Sequence, residues 1–368
     1  MSTSSTLRVS DRPGVFGGNF VFRISSFRII KICIMSKEES TILKGIAILL
    51  MLFLHLFNKA TLPEMCHPMI YIGDTPLVHI LTRATNPVDF FVILSGYGLA
   101  FLYQKETLNF RSQLRRLSKL YIHYWLILLV FVTIGSFIRP DSYPGDVWKI
   151  IGNVTSWSSN YNYEHWFLFP YAMLSLTAYP LFKLMDKLGN VWTLILFFLI
   201  SLVSMYFTSR YIAANKLYDS VEAHILTYFG FLFSFAIGAV MFCVSQVHSL
   251  HIAKFKKHPW LPIILLILLV VIKCTWWHTA IHAVYVFLFI WFFLNIPLHS
   301  VVRRLLVAMG KHSMPMWLIH TFFCNYLFHD FIYGFQYPVI IYMVLLIISY
   351  MCSFPIIWCA KWIIGKVM

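Results

Sequence analysis

The chain has 368 residues, of which 60% are apolar, 18% aromatic and only 12% charged. Because a soluble domain carries about twice this share of charged residues, the composition excludes an ordinary soluble protein. The formal net charge of +15 comes from lysines and arginines in short segments between apolar runs. This arrangement is typical of orientation signals in a membrane protein, and we expect no nucleic acid among the partners.

The first 34 residues differ from the rest of the chain. They are polar and glycine-rich at first, and Arg23, Arg28 and Lys31 then interrupt a short apolar part, which argues against a signal peptide. Met35 is followed by Ser-Lys-Glu-Glu and opens directly into the first long apolar run. We therefore expect residues 1–34 to be a disordered tail or a misassigned start, and residues 35–368 to form one transmembrane domain.

Apolar runs recur along residues 35–368 and predict an all-α fold, a polytopic transmembrane bundle of about ten helices. The predicted spans are residues 42–58, 88–104, 119–138, 165–182, 190–208, 222–245, 260–274, 279–296, 314–333 and 337–360. Lysines and arginines concentrate in the loops on the same side as the N-terminus. By the positive-inside rule, both termini are predicted to be cytoplasmic.

The first span carries two ionisable side chains on one stripe. Lys44 and His55 are eleven residues apart, roughly three helical turns, which places them on nearly the same face and about 16 Å apart along the axis. Ionisable groups inside a span are costly in lipid and usually functional. A neutral imidazole accepts protons near neutrality, so His55 is the candidate general base. The alternative is a histidine that only hydrogen-bonds a neighbouring helix.

A basic segment with Arg111, Arg115, Arg116 and Lys119 precedes the third span. Because Arg116 and Lys119 are three residues apart, they share a helix face and can bind one anionic group together. Orientation of the helix by positive charge explains the same residues, and composition does not separate the two readings. Beside a membrane-buried histidine, the cluster favours a phosphate-bearing donor that enters from the cytoplasm.

Four other residues are candidates for chemistry or binding. Asp89 begins the second span at the outer edge, where it would orient a histidine, pair with a cation or face water. His165 and Trp166 begin the fourth span, and His320 lies inside the ninth. Each of these two histidines, taken alone, fits a structural role as well as a functional one.

The outer loop of residues 139–164 combines aromatic side chains with asparagine and serine. Its aromatic residues include Trp148, Trp157, Tyr161 and Tyr163. Such rings stack on sugars, but they also form the aromatic belt at a membrane surface, and the sequence alone favours the belt.

Five segments, in this order, resemble the acyltransferase 3 family of integral membrane acyltransferases. They are Lys44 through His55, Val88-Asp89-Phe90 through Ser95-Gly96-Tyr97, Arg116-Leu117-Ser118-Lys119 with Tyr124-Trp125, His165-Trp166-Phe167-Leu168 with Tyr179-Pro180, and Gly310-Lys311-His312-Ser313 through His320. Each motif alone is weak, but five in register over about residues 40–325 are specific. The chain departs from the family in having Lys44 and Lys119 where arginine is usual, and Pro315 and Trp317 in the closing segment.

The resemblance implies a reaction and roles for these residues. An acyl group, most often acetyl, would move from cytoplasmic acyl-CoA, a co-substrate and not a bound cofactor, to a hydroxyl of a surface polysaccharide or lipid-linked sugar. Three cations would hold the CoA phosphates, two residues would serve catalysis and three would contact the acceptor. In that order they are Lys44, Arg116 and Lys119; His55 and Asp89; and His165, Trp166 and His320.

Two further expectations complete the interpretation. The scattered cysteines and the absence of a Cys-x-x-Cys pair predict neither a disulfide framework nor a metal site. We expect a multi-pass protein of a cell membrane, most simply the bacterial plasma membrane, in contact with membrane lipid.

A transporter or exporter of a sugar or acyl donor is the alternative function, since buried charges and basic loops also suit transport.

Overall fold

The structure is a computed structural model that describes residues 35–276 and 278–367. The tail or misassigned start expected at residues 1–34 lies outside the described residues.

Ten helices of 13 residues or more form the framework of the described chain. They are α1 (Lys37–Phe57), α2 (Pro87–Gln104), α3 (Phe110–Ile138), α4 (Leu168–Leu188), α5 (Asn190–Phe207), α6 (Val221–Val247), α7 (Trp260–Thr275), α8 (His282–Leu294), α9 (Ser300–Thr321) and α10 (Pro338–Val367).

Short elements connect these helices. The short α-helices are Leu62–Met65, Leu77–Thr82, Val147–Val154, Ala213–Asn215, Ala253–Lys257 and His329–Tyr333, the 3₁₀ helices are Tyr163–Phe167 and Thr279–Ile281, and the π turns are Thr208–Ile212 and Phe322–Tyr326. Two strands, β1 (Tyr71–Ile72) and β2 (Thr75–Pro76), pair antiparallel with Tyr71 opposite Pro76.

Within the described residues, seven helical stretches are long and apolar enough to cross a membrane. They contain α1 to α6 and α10, whereas α7 and α8 are apolar but shorter. Helix α9 is long enough, but Arg303, Arg304 and Lys311 lower its apolar character. The predicted all-α, multi-pass fold is confirmed. The count of about ten spans and the cytoplasmic position of both termini stay predictions.

Two helices begin well before the predicted spans. Helix α3 starts at Phe110 instead of residue 119, and α9 starts at Ser300 and ends at Thr321 instead of covering residues 314–333. In both cases the first turns are basic and amphipathic, so a search for apolar runs misses them. Pro315 does not interrupt α9, which continues to Thr321 before the π turn Phe322–Tyr326 begins.

Side-chain caps define where helices α1 and α3 begin. The Ser36 hydroxyl accepts a hydrogen bond from the Glu39 backbone N–H at 3.1 Å, and the Glu39 carboxylate accepts one from the Ser36 N–H at 2.7 Å. Asn109 and Ser112 form the same reciprocal arrangement at the start of α3. Because these caps satisfy free backbone donors, each helix begins at a defined residue, which sets the register of the basic side chains that follow.

Close glycine contacts hold the centre of the bundle. A Cβ atom on Gly45 would collide with the backbone carbonyl of Leu306, and one on Gly310 would collide with that of Thr41. Small residues of this kind let helices approach at backbone distance in a membrane. The α1–α9 crossing therefore fixes the stripe that carries His55 against the helix that carries His320.

Candidate active site

A cavity of about 360 Å³ collects the three cations singled out in the sequence. Lys44 from α1 and Arg116 and Lys119 from α3 all line it, and all three residues are exposed. We call this cavity the basic pocket. The three residues predicted to bind a donor phosphate are therefore brought together, although they come from helices far apart in sequence.

The walls of the basic pocket change from polar to aromatic. Ser175 lines it and donates a hydrogen bond to Gln113 Oε1 at 3.0 Å, while Phe167 and Trp317 pack with ring centroids 5.5 Å apart. Phe167 belongs to the 3₁₀ helix Tyr163–Phe167, and Trp317 lies three residues before His320 on α9. The aromatic pair thus lies one helical turn from the residues around His55.

His55 lies at the other end of α1 and faces the bundle interior. Its Nδ1 is 3.8 Å from Glu164 Oε1, and its ring centroid is 5.1 Å from that of His320. The His55 side chain is 20% exposed and that of Glu164 16% exposed. His55 does not line the basic pocket, from which it is separated by roughly three turns of α1.

Glu164 is held by two donors from the π turn Phe322–Tyr326. Asn325 Nδ2 donates to Oε1 at 3.2 Å, and the Tyr326 hydroxyl donates to Oε2 at 2.8 Å. Both carboxylate oxygens are therefore fixed while Oε1 remains directed at His55. Single-turn π segments of this kind occur often at functional sites.

Hydrogen bonds to backbone carbonyls define the tautomers of two buried histidines. His320 Nδ1 lies 2.8 Å from the Trp317 carbonyl, and His165 Nε2 lies 2.9 Å from the Leu318 carbonyl. Since a carbonyl oxygen only accepts, each of these nitrogens carries the hydrogen. The neutral rings therefore keep a lone pair on His320 Nε2 and on His165 Nδ1, both buried without a hydrogen-bond partner.

The carboxylate beside His55 is Glu164, which the sequence reasoning missed. A usable signal was present, because Glu164 directly precedes His165 at the start of an apolar span, where an acidic group is rare. Asn325 and Tyr326 were also missed. They carry no recognisable spacing relative to Glu164, since only the fold brings residues 164 and 325 together.

Asp89 and Trp166 lie away from His55, at a different cavity. Asp89 Oδ1 accepts a hydrogen bond from Ser234 Oγ at 2.6 Å, and the Trp166 ring stacks on Phe231. The catalytic role of Asp89 stays a prediction, but its carboxylate is not the one that contacts His55. Among the described residues, no group of three His, Cys, Asp or Glu side chains is arranged to hold a metal ion.

A family model described as an acyltransferase domain, Acyl_transf_3, matches residues 38–358. The match includes the basic pocket, His55, Glu164 and the π turn. No curated protein and no solved structure matches the chain.

Proposed function

The chain belongs to the acyltransferase 3 family, and from this premise we propose that it is a membrane O-acyltransferase. The donor would be cytoplasmic acyl-CoA, most simply acetyl-CoA, and the acceptor a hydroxyl of a surface polysaccharide or lipid-linked sugar. One observation carries the proposal: helix α1 contributes Lys44 to the pocket lined by three cations and His55 to the histidine–carboxylate pair.

The basic pocket suits the phosphates of CoA. Arg116 presents a planar fork to a phosphate, whereas Lys44 and Lys119 act as point charges. From α1 the pocket is lined by Ser40 and Lys44, which lie in the N-terminal half of the helix, the predicted cytoplasmic end. A donor bound there would direct its thioester past Phe167 and Trp317 toward the histidines.

In the transfer step His55 would act as general base. It takes the proton of the acceptor hydroxyl while the hydroxyl oxygen attacks the thioester carbonyl. The carbon–sulfur bond then breaks, and the departing sulfur takes the proton from the imidazolium to give free CoA thiol and the ester. Glu164 would hold the His55 ring and stabilise its positive charge, as carboxylates paired with catalytic histidines do.

The central test is transfer of labelled acetyl from acetyl-CoA to an acceptor glycan by the purified protein in detergent. We expect His55→Ala to lower the rate by about 10²- to 10⁴-fold, the usual contribution of a general base. His67→Ala is the matched control, because His67 is exposed and lies outside the site. Full transfer by His55→Ala would refute the role of this residue. A transporter, in contrast, would act only across a sealed vesicle and leave no covalent product.

The donor site has its own test. Arg116→Ala should raise the KM for acetyl-CoA with little change in kcat, because the lost contact binds the ground state and the transition state equally. Arg111→Ala is the control, since this arginine lies in the first turn of the same helix, is exposed and does not line the pocket. With S-acetylpantetheine, which has no phosphates, the Arg116→Ala variant and the unmodified protein should have equal KM values. A KM difference that persists would contradict phosphate binding by Arg116.

A further inference from the structure

A second, larger cavity system lies beside the 3₁₀ helix Tyr163–Phe167. One part, of about 480 Å³, extends between α5, α6 and α8, and the other, of about 170 Å³, lies among the loops near Trp157 and Tyr218. Trp166, Thr208 and Thr227 line both parts, so the two parts adjoin. We call it the outer groove. It is distinct from the basic pocket.

Aromatic rings surround one end of the outer groove. Trp157, Tyr163, Trp166 and Tyr218 all line it, and Tyr163 and Tyr218 are each 46% exposed. A membrane-surface belt requires only that each ring lies at the level of the lipid headgroups. Here four rings from three segments converge on a single cavity, which is the arrangement expected of a ligand site.

A buried histidine adjoins the aromatic end of the groove. His224 lines the groove between Trp157 and Phe169, with ring centroids 4.5 Å and 4.8 Å away. The residue is 7% exposed, and its Nε2 has no hydrogen-bond partner. His224 therefore places one polar ring among the aromatic side chains of this wall.

The charge of the groove restricts the ligand further. Asp219 lines the aromatic end of the groove and Asp89 lines the other part, where the nearby Lys273 offsets its charge. Among the described residues, no lysine or arginine lines either part. The Asp219 carboxylate accepts one hydrogen bond, from Ser158 Oγ at 3.1 Å, and keeps capacity for others. Carboxylates accept from sugar hydroxyls but repel anions, so this lining favours a neutral sugar over a uronic acid or a sugar phosphate.

The 3₁₀ helix joins the groove to the proposed catalytic centre. Side chains three residues apart eclipse in a 3₁₀ helix, so Tyr163 and Trp166 share one face while Glu164 and Phe167 share another. The first pair lines the outer groove. Of the second pair, Glu164 contacts His55 and Phe167 lines the basic pocket. One short helix thus adjoins all three places.

We propose that the outer groove binds a neutral hexose residue of the acceptor glycan, with its ring against Tyr163 and Tyr218. This assignment rests on the proposed O-acyltransferase function. It goes further in naming where the acceptor lies and which sugars it excludes.

The test measures equilibrium binding of p-nitrophenyl glucoside and p-nitrophenyl glucuronide to the full-length protein in detergent, without acyl donor. We expect Tyr218→Ala to raise the Kd of the glucoside about tenfold, the effect of losing one well-packed aromatic contact. Tyr218→Phe, which keeps the ring, should bind nearly as the unmodified protein does. Trp148→Ala is the control, because Trp148 is 80% exposed in the same outer region and lines neither cavity.

Each outcome bears on the proposal. Weaker glucoside binding by Tyr218→Ala with unchanged binding by Trp148→Ala supports it, as does rejection of the glucuronide. Absence of glycoside binding, equal loss in both alanine variants, or glucuronide binding as tight as glucoside binding overturns it. Labelled acetyl-CoA then separates the two claims: glycoside binding that depends on Tyr218 without any acetyl transfer would refute the proposed function and leave the groove as a sugar site.

Discussion

Replacing Glu164 by glutamine tests whether a carboxylate supports His55 as general base. Glu164 Oε1 lies 3.8 Å from His55 Nδ1. At this separation a unit negative charge stabilises an imidazolium by about 4 kcal/mol at an effective dielectric constant near 20. Because both side chains are partly exposed to water, an effective dielectric constant near 30 is more appropriate and lowers this to about 3 kcal/mol. Since each 1.36 kcal/mol is a factor of ten in rate, Glu164→Gln should lower kcat by about 10²-fold.

The assay is steady-state transfer of labelled acetyl, together with equilibrium binding of acetyl-CoA. Glutamine keeps the shape of the side chain and still accepts from Tyr326, so donor binding should be unchanged and report an intact fold. Glu64→Gln, at an exposed carboxylate on the short helix Leu62–Met65, should keep full activity. A kcat for Glu164→Gln within about twofold of the unmodified protein would show that this charge does not assist the reaction.

Two predictions concern stability. Gly310→Ala places a methyl group against the Thr41 carbonyl and should destabilise the bundle by about 1–3 kcal/mol, seen as a lower Tm in detergent, whereas Gly365→Ala meets no atom and should not. The hydrogen bond from His251 Nε2 to Glu39 Oε1, 3.0 Å long, raises the pKa of His251 above its ordinary value of 6.5. This contact should therefore stabilise the protein below that pH and lose its effect as the pH rises through the raised pKa; Glu39→Gln should remove this pH dependence of Tm. An unchanged pH profile would contradict it.

The arrangement of α1 illustrates how far local sequence reaches. The capping pattern at Ser36, the apolar run and the eleven-residue spacing of Lys44 and His55 depend only on helix geometry. The sequence therefore determined the helical class, the stripe on α1 and the shared face of Arg116 and Lys119. It also predicted the family, because five short motifs in a fixed order can be recognised without any knowledge of their contacts.

Only the tertiary structure decided which side chains meet across helices. Glu164, and not Asp89, contacts His55, because the 3₁₀ helix directs residue 164 toward α1 while Asp89 faces Ser234 on α6. The two residues that donate hydrogen bonds to Glu164 lie some 160 residues further along the chain. They belong to a π turn that the pattern of apolar residues does not predict. Spacing within one helix follows from its 3.6-residue period, but contacts between helices depend on where glycines let backbones cross, and that is a property of the packed bundle.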